Sequence, residues 1–575
     1  MTESQAGFAT RNWTRLVGSF LVFSLILLLP AVALIAYEGK SIVRSEVDTD
    51  SYRVNSISAR SLLEGIRTPV YPLVLRAATS FGDERAVIII QFGVYICFLS
   101  CMFLYLRTLG APRWTLFVLP VPFAMSSVVV GYTFVLLPEL IAAAAAFSVL
   151  LLSLSGYFIR HRPKIDWLVG GLLTVSVLSK PQYLFLVPYL LLVGLIQCGL
   201  QGNEQEKHWR RYRELRVCVR YFSPVLGYCL LRLVVVGHFG LVSFGGSNLA
   251  GLLLNPIWFT ESFAESLPAG GDRNAAKVII NRRLALLERA SADPDLKTED
   301  PRIRVKDALD ATVLGKMSKY DAICISYNAN MWDVARPALF ELYGNAKGEE
   351  QANRNVMVDA TLGRLSMLVL KENWLAYLHW LFLATTEALN RVVRYDSWNA
   401  RLLTSLCGMW CIAVAGYCLA RWWLSEAYRG RRKLVLSFGV VGCMLLFPGK
   451  VLASILGVWG WIPGTVAPLF IPISVVIVGV LLSGLVILSG VRGNAPFVEL
   501  SFVEYSVCCC SLFCCCGLAL IVSVELPLDR YLMTVSPAAT VASALVIVSS
   551  SLRCACSFVP LLSRSSDSLM ESFNG

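Results

Sequence analysis

The stretch "ELIAAAAAFSVLLLSLSGYFI" (139–159) opens on a glutamate and continues as an almost wholly apolar run. A membrane-spanning α-helix needs about 20 predominantly apolar residues. Runs of that length recur at "LVGSFLVFSLILLLPAVALIAY" (16–37) and "LFIPISVVIVGVLLSGLVILSG" (469–490). A transmembrane β-barrel would instead alternate apolar and polar residues. The sequence therefore predicts an all-α protein that crosses a membrane many times.

The composition fits this class. The chain has 575 residues, of which 56% are hydrophobic and 16% are charged, whereas about a quarter of a soluble domain is charged. The net charge of +12 would suit a nucleic acid, but the basic residues cluster in short links between apolar runs, where they act as topology signals. We therefore expect the lipid bilayer as a partner and no nucleic acid. The first run, 16–37, is longer than a usual signal core and lacks a small-residue cleavage site, so we expect it to remain as the first span.

About twelve spans are predicted from the apolar runs. They lie near residues 16–37, 86–106, 114–131, 138–159, 166–179, 183–200, 221–237, 402–424, 433–449, 468–490, 506–525 and 533–552. The spans divide the chain into an N-terminal transmembrane module (1–237) with a first outer loop (38–85), a large polar domain (238–401) and a C-terminal transmembrane module (402–575).

Basic residues are distributed unevenly between the two sides of these spans. Alternate links carry "KHWRRYRELRVCVR" (207–220) and "RGRRK" (429–433), while the short links between them carry about one basic residue each, at Lys180, Lys450 and Arg530. Links rich in Lys and Arg face the cytoplasm. The N-terminus is therefore predicted to be cytoplasmic.

This orientation places segments 38–85 and 238–401 on the outer face. The apolar stretch "ENWLAYLHWLFLATTEAL" (372–389) is predicted to lie in the membrane interface, because a further span there would invert every later link. We expect a multi-pass protein in a bacterial inner or plasma membrane, with its site on the outer face.

Ionisable side chains cluster on that outer face. Those at, or within a turn of, the outer membrane surface are Glu46, Asp48, Asp50, Arg67, Glu139, Lys180 and Arg530. Charged groups so close to lipid are costly and usually functional. Carboxylates there suit a general base, while Arg and Lys suit a phosphate at headgroup depth. The pattern predicts a site that acts on a lipid-linked phosphate.

The residues at the start of this region resemble a known family. "DTDSY" (48–52) followed by "RTPVYPLVL" (67–75) resembles the first outer loop of the GT-C membrane glycosyltransferases, which include protein mannosyltransferases and the aminoarabinose transferase. Their pattern is an acid, a Tyr four residues on, and then Arg-x-Pro-Gly-Tyr-Pro. The matching positions here are Asp48, Tyr52, Arg67, Pro69, Tyr71 and Pro72, with Val70 in place of the glycine.

Three further stretches are similar to the family in the same order. They are "LLPELIAAAAAF" (136–147), "LSKPQYLFLVPYLLL" (178–192) and "GHFGLVSFGGSNLAG" (237–251). The resemblance covers about the first 250 residues, and the second half matches only in span layout and in "LDRYL" (528–532). It implies a GT-C-like arrangement of the helices, with a mostly helical outer-face domain.

The resemblance also implies a reaction. A hexose or pentose passes, with inversion, from a polyprenyl- or dolichyl-phosphate donor to an acceptor hydroxyl on a protein, a glycolipid or a polysaccharide. The implied roles are general base for Asp48, base partner, acceptor contact or metal ligand for Glu139, phosphate contacts for Arg67, Lys180 and Arg530, and supporting positions for Asp50, Tyr52 and Tyr71. No cofactor is expected, and no ligand spacing indicates a divalent metal.

Plainer interpretations of these residues stay open. Asp48 or Asp50 could cap a helix, and Glu139 could complement a helix dipole. Arg67 and Lys180 could extend their charged groups to the interface.

Three other functions stay open as well. One is a non-enzymatic membrane scaffold, which would not require this set of acidic and basic side chains. A polysaccharide polymerase or ligase would share the lipid-linked donor and the membrane face. A transporter or flippase would need charges near mid-membrane, for which Arg232 is a candidate, but the main carboxylates lie at span ends.

Overall fold

The computed structural model describes the greater part of the chain. The described residues are 49–53, 62–63, 67–154, 163–200, 204–292, 306, 319–344, 349–394, 399, 402–403, 406, 466–492, 500–524, 533 and 535–552. Over these residues the protein is 85% helical and has no strand, so the predicted all-α class is confirmed there. The spans predicted near 16–37 and 433–449, and almost all of 402–424, lie outside the described residues.

The N-terminal module is a set of helices around one fully buried helix. The helices are α1 (Val70–Phe81), α2 (Glu84–Thr108), α3 (Thr115–Val118), α4 (Val121–Ala124), α5 (Ser127–Tyr132), α6 (Glu139–Leu154), α7 (Pro163–Ser179), α8 (Leu186–Leu200) and α9 (Glu204–Val236), with short 3₁₀-helices at Thr49–Tyr52 and Pro181–Phe185. Every residue of α6 is buried, and α2 and α7 pack against it. The helix that begins at Glu139 is thus the centre of this module.

The span predicted near 114–131 differs from the structure, which has three short helices there, α3 to α5. Pro120 and Pro122 lack the backbone N–H that a continuous helix needs. Ser126 then takes an extended conformation, and its Oγ accepts a hydrogen bond from the Val129 N–H at 3.2 Å. This cap starts a new helix instead of continuing the previous one.

The polar domain predicted from residue 238 onward is mostly helical where it is described. Its helices are α10 (Gly245–Leu253), α11 (Glu261–Ser266), α12 (Gly271–Ala292), α13 (Lys319–Ala329), a π-helix (Asn330–Ala335), α14 (Arg336–Leu342), α15 (Glu349–Glu372) and α16 (Trp374–Arg394). Helices α10 and α15 cross so closely that a Cβ on Gly246 would lie 2.0 Å from the Asp359 carbonyl oxygen. Glycine is the residue that permits this approach.

A buried arginine holds the centre of this domain. Arg283 donates to the carbonyl oxygens of Phe259, at 2.9 Å, and of Leu254, and to Asn330 Oδ1 at 3.1 Å. Burial lowers the pKa of Arg283 to about 10. Its hydrogen bonds link the loop around residue 255 to α12 and the π-helix.

The C-terminal module contains α17 (Val466–Arg492), α18 (Phe502–Val524) and α19 (Val535–Leu552). Cysteines 508–510 and Cys514 are buried along α18, as expected for small packing residues. Tyr505 connects the two transmembrane modules, because it donates to the Ser153 carbonyl oxygen at 3.1 Å and accepts from Gln197 Nε2 at 2.7 Å.

Four helical segments among the described residues are long and apolar enough to cross a membrane. They are Glu84–Thr108, Val219–Val236, Phe502–Ser523 and Val535–Leu552. Four shorter apolar segments accompany them, namely Glu139–Leu154, Ile165–Ser179, Pro181–Gln197 and Ser474–Ile487. Apolar helices of this kind are those of a membrane protein. The count of about twelve spans and the interfacial position of α16 stay predictions.

Candidate functional site

The structure brings five of the predicted site residues together. They form a connected group at the 3₁₀-helix Thr49–Tyr52, the starts of α1 and α6 and the turn after α7, and they are Tyr52, Arg67, Tyr71, Glu139 and Lys180. We call this group the carboxylate–arginine site.

The other predicted site residues cannot be placed with it. Asp48 and Arg530 lie outside the described residues. Asp50 belongs to the 3₁₀-helix Thr49–Tyr52, and its backbone alone is described.

A buried ion pair forms one wall of the site. Lys180 Nζ lies 2.7 Å from Glu139 Oε1, and the two side chains are 10% and 3% exposed. Glu139 is the first residue of α6. Lys180 directly follows α7 in an extended conformation, which Pro181 favours in the residue before it. The turn directs the Lys180 side chain toward the start of α6. The two opposite charges neutralise each other where they are shielded from water.

Two buried polar atoms of the site, one of them in this pair, have no hydrogen-bond partner among the described residues. They are Glu139 Oε2 and the Tyr71 hydroxyl oxygen. Burial, and then the negative charge of Glu139, raise the pKa of Tyr71, so the hydroxyl keeps its proton. A buried donor or acceptor left without a partner costs about 1–3 kcal/mol. A bound hydroxyl group can accept from an unused donor such as the Tyr71 hydroxyl and donate to an unused acceptor such as Glu139 Oε2.

Arg67 and the first outer loop form the other wall. Arg67 Nε donates to Ser51 Oγ at 2.8 Å, and its Cζ lies 4.7 Å from the centroid of the Tyr52 ring. Tyr52 meets Tyr71 edge-on, with ring centroids 5.3 Å apart. Thr68 Oγ1 donates to the Ser179 carbonyl oxygen at 2.9 Å, which holds this loop against the turn that carries Lys180.

The polar domain adds residues that the sequence analysis did not predict. Arg336 and Arg67 approach the same ring, with Cζ-to-centroid distances to Phe244 of 5.0 Å and 5.9 Å. The Trp332 ring centroid lies 5.3 Å from that of Phe244 and 5.3 Å from Arg336 Cζ. The sequence feature that could have indicated Arg336 is its position in the largely apolar run "MWDVARPALF" (331–340), because ionisable residues in apolar segments are costly and usually functional.

Arg232, the residue considered for a transport function, forms hydrogen bonds that hold neighbouring segments together. It is fully buried and donates to the Leu63 carbonyl oxygen at 2.8 Å, the Gly240 carbonyl oxygen at 2.7 Å and Ser243 Oγ at 2.9 Å. Through these neutral acceptors Arg232 connects the segment around Leu63 to the start of the polar domain.

A metal at Glu139 would have to share the carboxylate with the Lys180 ammonium. Among the described residues, no group of three or more His, Cys, Asp or Glu side chains could hold a metal ion. The metal-ligand role considered for Glu139 therefore gains no support from its surroundings.

No protein-family model, no curated protein and no solved structure matches this chain. The fold defines it as a helical protein with apolar helices of membrane-spanning length. The resemblance to the GT-C glycosyltransferases stays a prediction.

Proposed function

We propose that this protein is an inverting glycosyltransferase of the GT-C type, which uses a polyprenyl- or dolichyl-phosphate sugar on the outer face of the membrane. The observation that supports this best is the carboxylate–arginine site. A buried carboxylate, held by a lysine and leaving one oxygen open, lies in one connected group with an aromatic-backed arginine. Such a site offers acceptor recognition and phosphate binding side by side.

The reaction needs both parts. The acceptor oxygen forms a bond to the anomeric carbon while the bond from that carbon to the phosphate oxygen breaks, so the lipid phosphate leaves with the electron pair. The hydroxyl proton passes to a carboxylate, which contributes about 10²–10⁴-fold to the rate. Cations stabilise the negative charge that develops on the leaving phosphate.

Asp48 is our proposed general base, as the family pattern implies. Glu139 Oε2 and the Tyr71 hydroxyl are our proposed contacts to the acceptor, a proposal supported by their lack of a hydrogen-bond partner among the described residues. Arg67 is the proposed phosphate contact. Lys180 would serve a phosphate only while also pairing with Glu139, so its main proposed task is to hold that carboxylate.

The location follows from the charge asymmetry of the links. The proposed site is at the outer surface of a bacterial inner or plasma membrane, where an activated lipid carrier replaces a nucleotide-sugar. Neither a cofactor nor a metal is part of the proposal.

An intact-mass comparison tests the function. Cell-surface proteins and glycolipids are compared between cells that carry the wild-type chain, no chain, or the Glu139→Gln variant. We expect one class of molecule to carry an added hexose or pentose mass in the wild type and to lose it in the other two. Identical mass profiles in all three would refute the proposal.

A further inference from the structure

Helix α16 (Trp374–Arg394) exposes large apolar side chains in its first half. Trp374, Leu375, Leu378 and Phe382 are 54%, 64%, 50% and 69% exposed. Each of them lies three or four residues from another, so they share one side of the helix. We call these four residues the apolar face of α16. A contiguous exposed apolar patch marks a surface that something else covers.

The other side of α16 is buried in the protein. Trp380, Ala384 and Ala388 follow each other at four-residue spacing and belong to the hydrophobic core. Helix α16 packs against α17 and α18. The Tyr377 hydroxyl donates to the Ser523 carbonyl oxygen at 2.6 Å, and the Tyr377 and Trp380 rings stack with their centroids 6.0 Å apart. The helix is therefore held from one side by the C-terminal module.

The Tyr377 hydrogen bond places the apolar face relative to a membrane-spanning segment. Ser523 is the last residue of Phe502–Ser523, the part of α18 that is long and apolar enough to cross a membrane. Tyr377 is therefore level with one end of that segment. Since an α-helix rises 1.5 Å per residue, all four residues of the apolar face lie within about 8 Å of Tyr377 along the helix axis. The face thus lies at the depth where the apolar segment of α18 ends.

We infer that the apolar face of α16 is a lipid-docking surface, which inserts among the acyl chains of the bilayer at the end of α18. A helix that lies in the interface buries its apolar face about 5–10 Å into the boundary between headgroups and acyl chains, and the face has this depth. Tryptophan, here Trp374, is typical of the same boundary. The inference does not depend on the proposed sugar transfer.

The neighbouring helix α17 exposes the same kind of side chain. Its exposed large side chains are Ile477, Val478, Leu481 and Leu485, and they lie within the apolar segment Ser474–Ile487. Apolar side chains on the surface of a membrane span face acyl chains. Helix α16 therefore packs beside a helix whose exposed side also suits lipid.

Lipid contact at this face also concerns the polar domain. Asn373 separates α15 from α16, its N–H donates to the Val369 carbonyl oxygen at 2.9 Å, and its own carbonyl oxygen accepts from the Tyr377 N–H at 2.9 Å. These hydrogen bonds connect the end of α15 to the start of α16. Helix α15 in turn crosses α10 closely at Gly246. The lipid-docking surface is thus connected to the interior of the polar domain.

Photo-crosslinking from lipid to the full chain tests this inference. The chain is placed in phosphatidylcholine nanodiscs, one chain per disc, with a fraction of the lipid carrying a diazirine in its acyl chain. After irradiation, adducts are mapped by peptide mass spectrometry. We expect adducts on the apolar face of α16 to be about fivefold or more as frequent as on Leu284, because an interfacial apolar face contacts acyl chains.

Two exposed leucines are the controls. Leu284 is 41% exposed on α12, whose main packing partners belong to the polar domain, and it should stay nearly unlabelled. Leu481 of α17 is 63% exposed within an apolar segment and should be labelled strongly.

No adducts on the apolar face, with Leu481 labelled, would overturn the inference. Adducts on Leu284 as frequent as on Phe382 would also overturn it, since the label would then not distinguish the two surfaces. A face that is labelled with one chain per disc and protected with two would identify a second copy as its occupant, which would overturn lipid as the partner. The assay contains no sugar donor, so none of these outcomes depends on the proposed function.

Discussion

Replacing Lys180 by methionine should destabilise the protein strongly. The substitution keeps the length of the side chain but removes the ammonium 2.7 Å from Glu139 Oε1. The carboxylate stays 3% exposed, with no other salt-bridge partner among the described residues. Removing one member of a buried ion pair costs about 3–5 kcal/mol. This is a large share of the roughly 5–15 kcal/mol by which a folded protein is stable.

The double variant Glu139→Gln/Lys180→Met separates the lost charge from lost packing. It removes both charges and keeps both shapes, so it should be about 2 kcal/mol or more better than the sum of the two single variants. The free energy of unfolding is measured by detergent titration in mixed micelles, followed by tryptophan fluorescence. Lys371→Met, at an exposed lysine of α15, is the control and should stay within about 0.5 kcal/mol of the wild type. A Lys180→Met variant as stable as this control, or purely additive single effects, would refute the ion pair.

Other expectations concern packing, chemistry and topology. Gly246→Ala should destabilise the polar domain by about 1–3 kcal/mol or more, because the new Cβ would lie 2.0 Å from the Asp359 carbonyl oxygen. A melting temperature equal to that of the wild type would contradict the close crossing of α10 and α15. Arg67→Lys should raise the KM for the lipid donor several-fold although the charge is kept, since lysine cannot form the fork; an unchanged KM would argue against a two-pronged phosphate contact. A cysteine placed at Ser266 should react with an impermeant thiol reagent from outside the cell, and one at Gln205 should react only after the membrane is opened; the reverse pattern would turn the proposed site toward the cytoplasm.

Local sequence pattern was sufficient for much of the fold. The apolar run after Pro138 predicted a helix opening at Glu139, and α6 begins at that residue. The single span predicted near 114–131 was wrong. That prediction followed the hydropathy of the run and did not take account of Pro120 and Pro122, which lack the backbone N–H that a continuous helix needs. Hydropathy reports burial, and buried residues there are divided among three short helices.

The site was predictable as a set of residues and not as a set of contacts. Positions at span ends selected Glu139, Lys180 and Arg67 on one face. That Lys180 would be engaged by Glu139 depends on how α6 and α7 pack, which no local pattern encodes. Arg336 was missed because it and Arg67 approach the same Phe244 ring, a contact between segments far apart in the chain.

Sugar transfer by the purified chain in liposomes tests the central claim most directly. A polyprenyl-phosphate donor with a labelled sugar is supplied with a membrane extract of acceptors, and label in the acceptor is counted for wild type, Asp48→Asn and Asp50→Asn. In a strand and in a helix alike, side chains two residues apart point in different directions, and the family pattern selects Asp48 as the base. We predict transfer by the wild type, none by Asp48→Asn, and measurable transfer by Asp50→Asn, with at most a cap's worth of stability, about 1 kcal/mol, lost. Transfer by Asp48→Asn at the wild-type rate would contradict the assigned base, and no transfer by any form from any lipid-linked donor would contradict the account as a whole.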